Sequence, residues 1–293
     1  MKRLFTLLVL GVLCNTLQAQ TQMDSTNPQK PDTIRIGSYV IVKSGRKSSE
    51  NNDKDKKEKN YGVYRQKRSG SNITTNWLIV DIGFANYNDK TDYNNTEGYL
   101  YNRPGIAPLG KSDFKLNTGK SVNVNIWLFM QQFNLIKHHV NLKYGVGIEL
   151  NNYRYRSDIS YLEKNPFEPN STPAPVVIRD SVSFSKNKLA ADYVTVPFML
   201  NFRTGRYNNN RGLSISLGVS AGYLYSQRNK QVSKDRGKQT NRGNYDLEQF
   251  KFSYVGELGL GPVKLYGSYT PKSIYQRGMD IRPYTLGVRL SVE

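Results

Sequence analysis

From Trp77 onward, apolar and polar residues alternate with a period of two, the spacing of a β-strand that presents one face to an apolar environment. The alternation is most regular from Val140 to Leu150, where every second residue is apolar and those between are Asn, Lys, Gly and Glu. The predicted strands begin near these residues: Trp77, Val122, Val140, Tyr193, Leu213, Phe250, Val263 and Tyr284. The sequence therefore predicts an all-β fold with eight strands.

The connections between these strands alternate in length. The short ones are Asn134 to Lys137, Arg203 to Arg211 and Gly261-Pro262, and the long polar ones are 88–118, 152–187, 227–248 and 271–282. Outer-membrane barrels have short periplasmic turns and longer outer loops. A soluble β-sandwich has no reason to sort its connections in this way. We therefore expect residues 76–293 to form an eight-stranded antiparallel up-and-down transmembrane β-barrel, located in the cell outer membrane.

The two faces of the predicted strands fit a barrel in lipid. Lipid offers no hydrogen-bond partners, so a spanning sheet must close on itself and turn its apolar side chains outward. The inward set then includes charges of both signs, which can pair: Asp81, Lys143, Glu149, Lys251, Glu257, Lys264 and Arg289. Eight strands enclose a space that side chains can fill, so we expect a plugged lumen and no porin-like channel.

Three details of the strands lead to further expectations. Pro197 interrupts the fourth strand and predicts a bulge or local bend. Several glycines, such as Gly145 and Gly147, follow the strand spacing and should relieve crowding inside the barrel. Aromatic residues near strand ends are expected to form girdles at the membrane interfaces: Phe133, Tyr153, Tyr225, Phe250, Tyr269 and Tyr284.

The residues before the barrel have a different character. Residues 1–19 have a basic start, a short apolar run and a plausible cleavage site before Gln20, the layout of a signal peptide, and they contain the only cysteine, Cys14. No stretch reaches the length of a transmembrane helix. Residues 20–75 predict a flexible, basic periplasmic tail with one strand-like segment, Thr33 to Val42.

The formal net charge of +19 indicates that the chain attracts negatively charged partners. The basic residues of the chain concentrate in polar connections such as Lys43 to Arg68 and Arg228 to Arg242. Because a signal peptide directs the chain out of the cytoplasm, nucleic acid is not expected as a partner. We expect attraction to outer-membrane lipid and lipopolysaccharide. The strand-like piece of the tail offers an edge to periplasmic or secretion-machine proteins.

Several short segments resemble the outer-membrane β-barrel family of Bacteroidetes that includes PorT-like proteins. They are Asp32 to Gly37, Tyr193 to Leu200 with its central proline, and Pro283 to Val288. The chain departs from many barrels by ending in Val292-Glu293 instead of an aromatic residue. The resemblance implies a small integral outer-membrane protein, and it implies no particular activity.

No catalytic, cofactor or metal site is predicted. His138 and His139 are the only histidines, and neighbours on a strand point to opposite faces. We expect a non-enzymatic protein with a structural or surface-interaction role through its outer loops, mainly 88–118 and 152–187. Two alternatives stay open: a PorT-like accessory part of a protein secretion machine, and a lipid-modifying outer-membrane enzyme.

Overall fold

The chain forms two units in a computed structural model, residues 1–69 and residues 70–293. The structure describes residues 33–36, 39–43, 61–65, 72–136, 139–168, 174–204, 213–260 and 263–290. The predicted signal peptide, residues 1–19, lies outside them. None of the described residues forms a helix long and apolar enough to cross a bilayer.

The first unit contains a small antiparallel sheet. Its strands are β1 (Thr33–Ile36), β2 (Tyr39–Lys43) and β3 (Tyr61–Arg65), in that order. The strand-like segment predicted over residues 33–42 is therefore a hairpin, because Thr33 pairs with Val42. The third strand lies in a stretch that the polar composition predicted to be flexible, and it pairs with β2.

The second unit contains eleven described strands. In chain order they are β4 (Ile73–Asp89), β5 (Val122–Ile136), β6 (Val140–Tyr155), β7 (Ile159–Leu162), β8 (Val176–Arg179), β9 (Lys186–Arg203), β10 (Leu213–Ser233), β11 (Gly237–Arg242), β12 (Phe250–Leu260), β13 (Val263–Tyr269) and β14 (Ile281–Leu290). A short 3-10 helix, Thr118–Lys120, precedes β5.

Eight of these strands close into a ring. Its order is β4-β5-β6-β9-β10-β12-β13-β14, every pairing is antiparallel, and β14 returns to pair with β4. The predicted eight-stranded up-and-down barrel is confirmed. Strands β7 and β8 form a separate two-stranded sheet in one long loop, and β11 pairs with the far end of β10.

Burial alternates along the ring strands as the sequence predicted. On β9, Val194 to Phe202 show alternate exposed apolar side chains, whereas Tyr193, Thr195 and Asn201 are buried. On β14, Leu286 is 64% exposed and its neighbour Thr285 is buried. Apolar side chains therefore line the outside of the ring, where lipid would contact them.

The alternation changes phase where β4 pairs with β5. A bulge lies between Trp127 and Phe129 on β5, and Leu78 opposite it has a left-handed backbone with φ of 53°. Met130 continues the apolar series Val122, Val124, Ile126 and Leu128, which predicts an outward position, but the bulge turns it inward and it is buried. Phe129, placed inside, contacts Trp77 instead, with ring centroids 5.9 Å apart.

Pro197 does not produce the predicted bulge. Its strand keeps one register with β6, although pairing stops at Tyr144–Phe198 and resumes at Gly147–Thr195. The gap lies opposite the proline, which has no N–H to donate. On its other side Pro197 stays in register with Ser220.

Candidate functional site

The barrel interior is filled by paired charges. Arg289 forms two bonds to Asp81, Nε to Oδ1 at 2.6 Å and Nη2 to Oδ2 at 2.8 Å, and its Nη1 bonds to Glu257. Two lysines complete the network: Lys143 pairs with Glu257, and Lys251 pairs with Glu149. The pairing predicted for the inward charges is therefore present.

Little space remains around these charges. Cavities of about 30 and 40 Å³ lie beside the network, enough for one or two water molecules each. Gly147 makes room for the indole of Trp127, because a Cβ at this glycine would lie 2.6 Å from Trp127 Cε3. The interior of the described barrel offers side-chain packing and no open passage of ligand size.

The histidine that the structure describes has a structural position. His139 lies in the short turn after β5, and its Nδ1 is 3.1 Å from the carbonyl oxygen of Arg203. Within the described residues, no three His, Cys, Asp or Glu side chains come together as a metal site. His138 lies outside the described residues.

At the opposite end, the long loops fold over a shared core. This end is the outer one, because long loops of outer-membrane barrels face outward. The core is built largely of buried tyrosines, and we call it the tyrosine core: Tyr99, Tyr153, Tyr155, Tyr161, Tyr193, Tyr245 and Tyr275. Tyr153 was predicted to lie in an interfacial girdle, but it is 2% exposed and packs within this core.

Hydrogen bonds between hydroxyl groups connect the tyrosine core across loops. Tyr161 OH lies 2.7 Å from Tyr155 OH and 2.8 Å from Tyr275 OH. Tyr99 OH donates to the carbonyl oxygen of Tyr245 at 2.6 Å. Burial raises the pKa of the Tyr99, Tyr161 and Tyr275 hydroxyls well above the ordinary range. These hydroxyls therefore stay neutral and act as hydrogen-bonding groups.

The Asp180 carboxylate connects two elements at the edge of this outer end. Burial would raise the pKa of Asp180, but hydrogen bonds from Ser160, the Val182 N–H and Arg236 prevail and lower it. Ser160 Oγ donates to it at 2.7 Å, and Arg236 Nη1 at 3.1 Å. Asp180 thereby joins the β7–β8 loop to the β10–β11 hairpin as an ionised group.

Beyond the membrane level, the outer wall of β6, β9, β10 and β11 carries a group of cations that we call the basic patch. Its members are Arg154, Lys186, Lys188, Arg228, Lys230 and Lys238. Lys188 sits directly opposite Arg154 on one side and Lys230 on the other. Directly opposite residues share a face of the sheet, so three cations form one row across three strands.

The two neighbouring rows contain two cations each. Val232 pairs with both Lys186 and Lys238, and Arg228 pairs with Arg242. The alternate residues Asn229 and Gln231 are buried inside, so the cations point outward. One carboxylate, Asp192, pairs with Arg228. The patch therefore carries a clear excess of positive charge.

Lys188 lies at the centre of the basic patch. Burial and the nearby cations Lys230 and Lys186, with Arg228, lower its pKa from 10.5 to about 8. Its Nζ donates to Asn152 Oδ1 at 2.6 Å. With a strand rise of about 3.3 Å and a tilt of about 40°, Lys188 lies about 15 Å beyond Val194, the outermost exposed apolar residue of β9.

The sequence predicted that the basic residues near 228–242 lie at the outer end, but it did not predict that they form strands. Residues 227–248 were predicted to be a loop, whereas β10 continues through Arg228 to Ser233 and is paired with β9 as far as Val232. Polar residues occupy both faces of this extension, so no apolar alternation marked it as a strand. The signal that existed was weaker, namely cations at every second position from Lys186 and from Arg228.

Comparison with known proteins agrees with this architecture. Residues 83–271 match the family model described as "Outer membrane protein beta-barrel domain". No curated protein matches the sequence. Among three matching solved chains is the crystal structure of Ail, the attachment invasion locus protein of Yersinia pestis, in complex with the heparin analogue sucrose octasulfate. That alignment has 14% identity and a TM-score of 0.26, and covers 73% of this chain and 99% of Ail. Because the family model covers more than half of the 293 residues, this chain belongs to the outer membrane protein beta-barrel domain family and is located in the outer membrane.

Proposed function

We propose that this barrel is a non-enzymatic surface-interaction protein whose basic patch binds the phosphate groups of lipopolysaccharide. The row Arg154–Lys188–Lys230 carries the proposal. Like charges directly opposite each other destabilise a sheet. An anion that bridges them removes this repulsion and gains charge-assisted hydrogen bonds.

The position of the patch supports lipopolysaccharide as the anion. The patch faces sideways from the wall, and its central row lies about 15 Å beyond the apolar belt, at the level of sugars attached to outer-leaflet lipid. A ligand in solution would meet the loop tips first, whereas lipopolysaccharide surrounds the wall on all sides. The patch therefore faces the phosphorylated sugar layer of the barrel's own membrane.

The long outer loops have a second part in this proposal. The tyrosine core and the ion pairs around it hold the loops as one folded surface, and a preordered surface loses less entropy on binding. The paired charges of the lumen support a plugged, structural barrel. We include in the proposal that the chain stands among the PorT-like barrels of Bacteroidetes, on the resemblance of the Tyr193 to Leu200 segment.

The two alternatives have less support from the described residues. A secretion-machine role would act through the periplasmic turns and the tail, and residues 205–212 of those turns lie outside the described residues. A lipid-modifying enzyme would need a Ser, His and acid set near the outer leaflet. His139 lies in a turn at the other end of the barrel.

A charge-reversal experiment tests the proposal. The variant Lys188→Glu/Lys230→Glu changes the centre of the patch, and Lys120→Glu/Lys164→Glu makes the same change of charge at exposed loop lysines. Detergent-solubilised protein is mixed with lipopolysaccharide vesicles in a chelator, and co-sedimentation is measured across salt concentrations. We expect the patch variant to bind at least about 10-fold more weakly and with a smaller salt dependence.

Two results would overturn the proposal. One is equal binding by the patch variant and the wild type. The other is an equal loss in the control variant, which would indicate general charge attraction. Lipopolysaccharide treated with phosphatase should bind the wild type as weakly as untreated material binds the patch variant. A heat-induced shift on a detergent gel verifies that each variant is folded.

A further inference from the structure

The barrel wall is interrupted beside the basic patch. Strand β10 pairs with β12 only as far as Tyr223–Phe250, and its pairing with β11 begins at Arg228–Arg242. Between these points β10 bulges at Leu224/Ser226. Residues 243–249 turn toward the tyrosine core and bury Leu247. The wall therefore opens sideways at this point.

The opening forms a cleft of about 930 Å³, which we call the wall cleft. This volume is at the upper end of the range that small-molecule sites occupy. Part of its lining is apolar, with Leu150, Tyr225 and Leu247. Much of the rest consists of side-chain amides, among them Gln249 and Asn244. Such a lining suits a molecule with both hydroxyl groups and apolar segments.

The charges of the wall cleft favour an anion. Arg228 and Arg242 both line it, and Asp192 is its one acidic residue. Arg228 is paired with Asp192, but its Nε is buried without a hydrogen-bond partner among the described residues. Arg242 is exposed and has no ion pair within the described part of the chain. The cleft can therefore bind an anion without first breaking an ion pair.

The wall cleft includes Arg228, the member of the basic patch that lies nearest the membrane. Tyr225 is 49% exposed on the lipid-facing side, and Arg228 lies three residues beyond it. At about 3.3 Å per residue and a tilt of about 40°, this separation is about 8 Å, the level of lipid headgroups. A molecule anchored in the outer leaflet reaches this level without leaving the membrane.

We infer that the wall cleft is a discrete site for the phosphorylated sugar headgroup of one outer-leaflet glycolipid. The phosphate binds Arg242 and Arg228 Nε, the sugar hydroxyls bond to the amides, and the start of the acyl chains lies on Leu150 and Tyr225. This inference rests on the proposed function, since it takes lipopolysaccharide as the glycolipid. It adds a single, saturable site to the diffuse contacts of the basic patch.

Native mass spectrometry of the detergent-solubilised full chain tests the inference. The probe is lipid A with its phosphates, and the comparison is the same lipid after phosphate removal. The wall-cleft variant is Arg242→Gln/Gln249→Leu, which leaves the buried Arg228–Asp192 pair intact. The control is Lys120→Gln, at an exposed loop lysine outside both the wall cleft and the basic patch, and Arg242→Lys is the conservative variant.

We expect the wild type to retain one copy of lipid A through mild activation, and the wall-cleft variant to bind it at least about 10-fold more weakly. Arg242→Lys should bind between these two, and Lys120→Gln should keep the retained copy. Equal retention by the wild type and the wall-cleft variant would overturn the inference, as would equal retention of the dephosphorylated lipid.

Competition with soluble glucosamine 1-phosphate distinguishes a site for a membrane lipid from a site for free sugar phosphates. If it does not displace lipid A at a large excess, the acyl chains are required and the site is a lipid site, as we infer. If it displaces lipid A with comparable affinity, the site serves free sugar phosphates and the lipid assignment is wrong. The proposed function fails separately, when Lys188→Glu/Lys230→Glu keeps full vesicle binding.

Discussion

The guanidinium carbon of Arg277 lies 5.5 Å from the centroid of the Tyr99 ring, and so joins the last outer loop to the first. The same side chain reaches the other two loops. Its Nη2 donates to the carbonyl oxygen of Pro175 at 2.8 Å, and its Nε pairs with Asp246. A third bond, from Nη1 to the carbonyl oxygen of Glu97, measures 3.3 Å. One arginine therefore connects all four outer loops.

Replacing Arg277 should loosen the outer loops without opening the barrel. The variant Arg277→Lys keeps the positive charge, but a lysine cannot form the planar set of bonds. We expect proteolysis within 90–121 and 156–185 to become at least several-fold faster, while the heat-induced gel shift stays unchanged. Arg282→Lys is the control, because Arg282 forms its ion pair with Asp280, two residues away. Equal proteolysis of both variants would contradict the connecting role of Arg277.

The buried charge network should behave as a unit. Arg289→Met removes the partner of Asp81 and one partner of Glu257, and leaves two carboxylates in the lumen. Breaking a buried pair from one side costs about 3–5 kcal/mol. Urea unfolding in detergent, followed by Trp127 fluorescence in a Trp77→Phe background, measures the loss.

Neutralising both members of the Arg289–Asp81 pair supplies the control for that variant. In Asp81→Asn/Arg289→Met Glu257 keeps Lys143 as its partner, so no charge of the described network is left unpaired. We expect it to recover a large part of the stability that Arg289→Met loses. A double variant less stable than Arg289→Met would show that charge pairing is not the reason.

The hydroxyl of Tyr161 should contribute to the outer loops and little to the barrel. Tyr161→Phe keeps the ring packed and removes one hydrogen bond from each of two buried hydroxyls, those of Tyr155 and Tyr275. The loss of a hydrogen bond inside a protein costs about 0.5–1.5 kcal/mol. Hydrogen exchange should therefore speed up in the β7–β8 loop and remain unchanged in β12 and β13. Tyr254→Phe, on the lipid face, is the control.

The barrel was predictable because one physical rule governs every spanning strand. Side chains such as Val194 and Leu286 contact lipid, and their neighbours face the lumen, so apolar residues recur at every second position. The rule failed at Met130, where a bulge reverses the phase. Composition gives no sign of such a bulge, because Phe129, Met130 and Gln131 suit either face.

The outer end of the barrel was less predictable, because no single rule governs the sequence of its strands and loops. Outside the membrane no lipid enforces an alternation, so the extension of β10 through Lys230 looked like a polar loop. The buried tyrosines of the long loops come from distant parts of the sequence: Tyr161 and Tyr275 are 114 residues apart. Only the closed ring brings these positions together, and for that reason Tyr153 was assigned to a girdle.

The pKa of Lys188 predicts an unusual pH dependence of lipopolysaccharide binding. Because burial and its neighbouring cations lower this pKa to about 8, the lysine loses its charge near pH 8 instead of near 10.5. The protonated form attracts phosphate, so binding should weaken as pH rises through 8. Lys188→Arg keeps its charge throughout and should bind with little change over that range.

The free energy of unfolding should rise with pH over the range in which binding weakens. This difference distinguishes the titration of Lys188 from general alkaline damage, which would weaken both. Between pH 8 and 10.5 the unfolded chain holds more protons at this lysine than the folded chain, so Lys188 stabilises the fold increasingly as pH rises. The arginine side chain of the Lys188→Arg variant does not titrate in this range. Urea unfolding and vesicle binding, measured in the same buffers, should therefore show opposite slopes in the wild type relative to the variant. Parallel slopes would mean that another group controls binding.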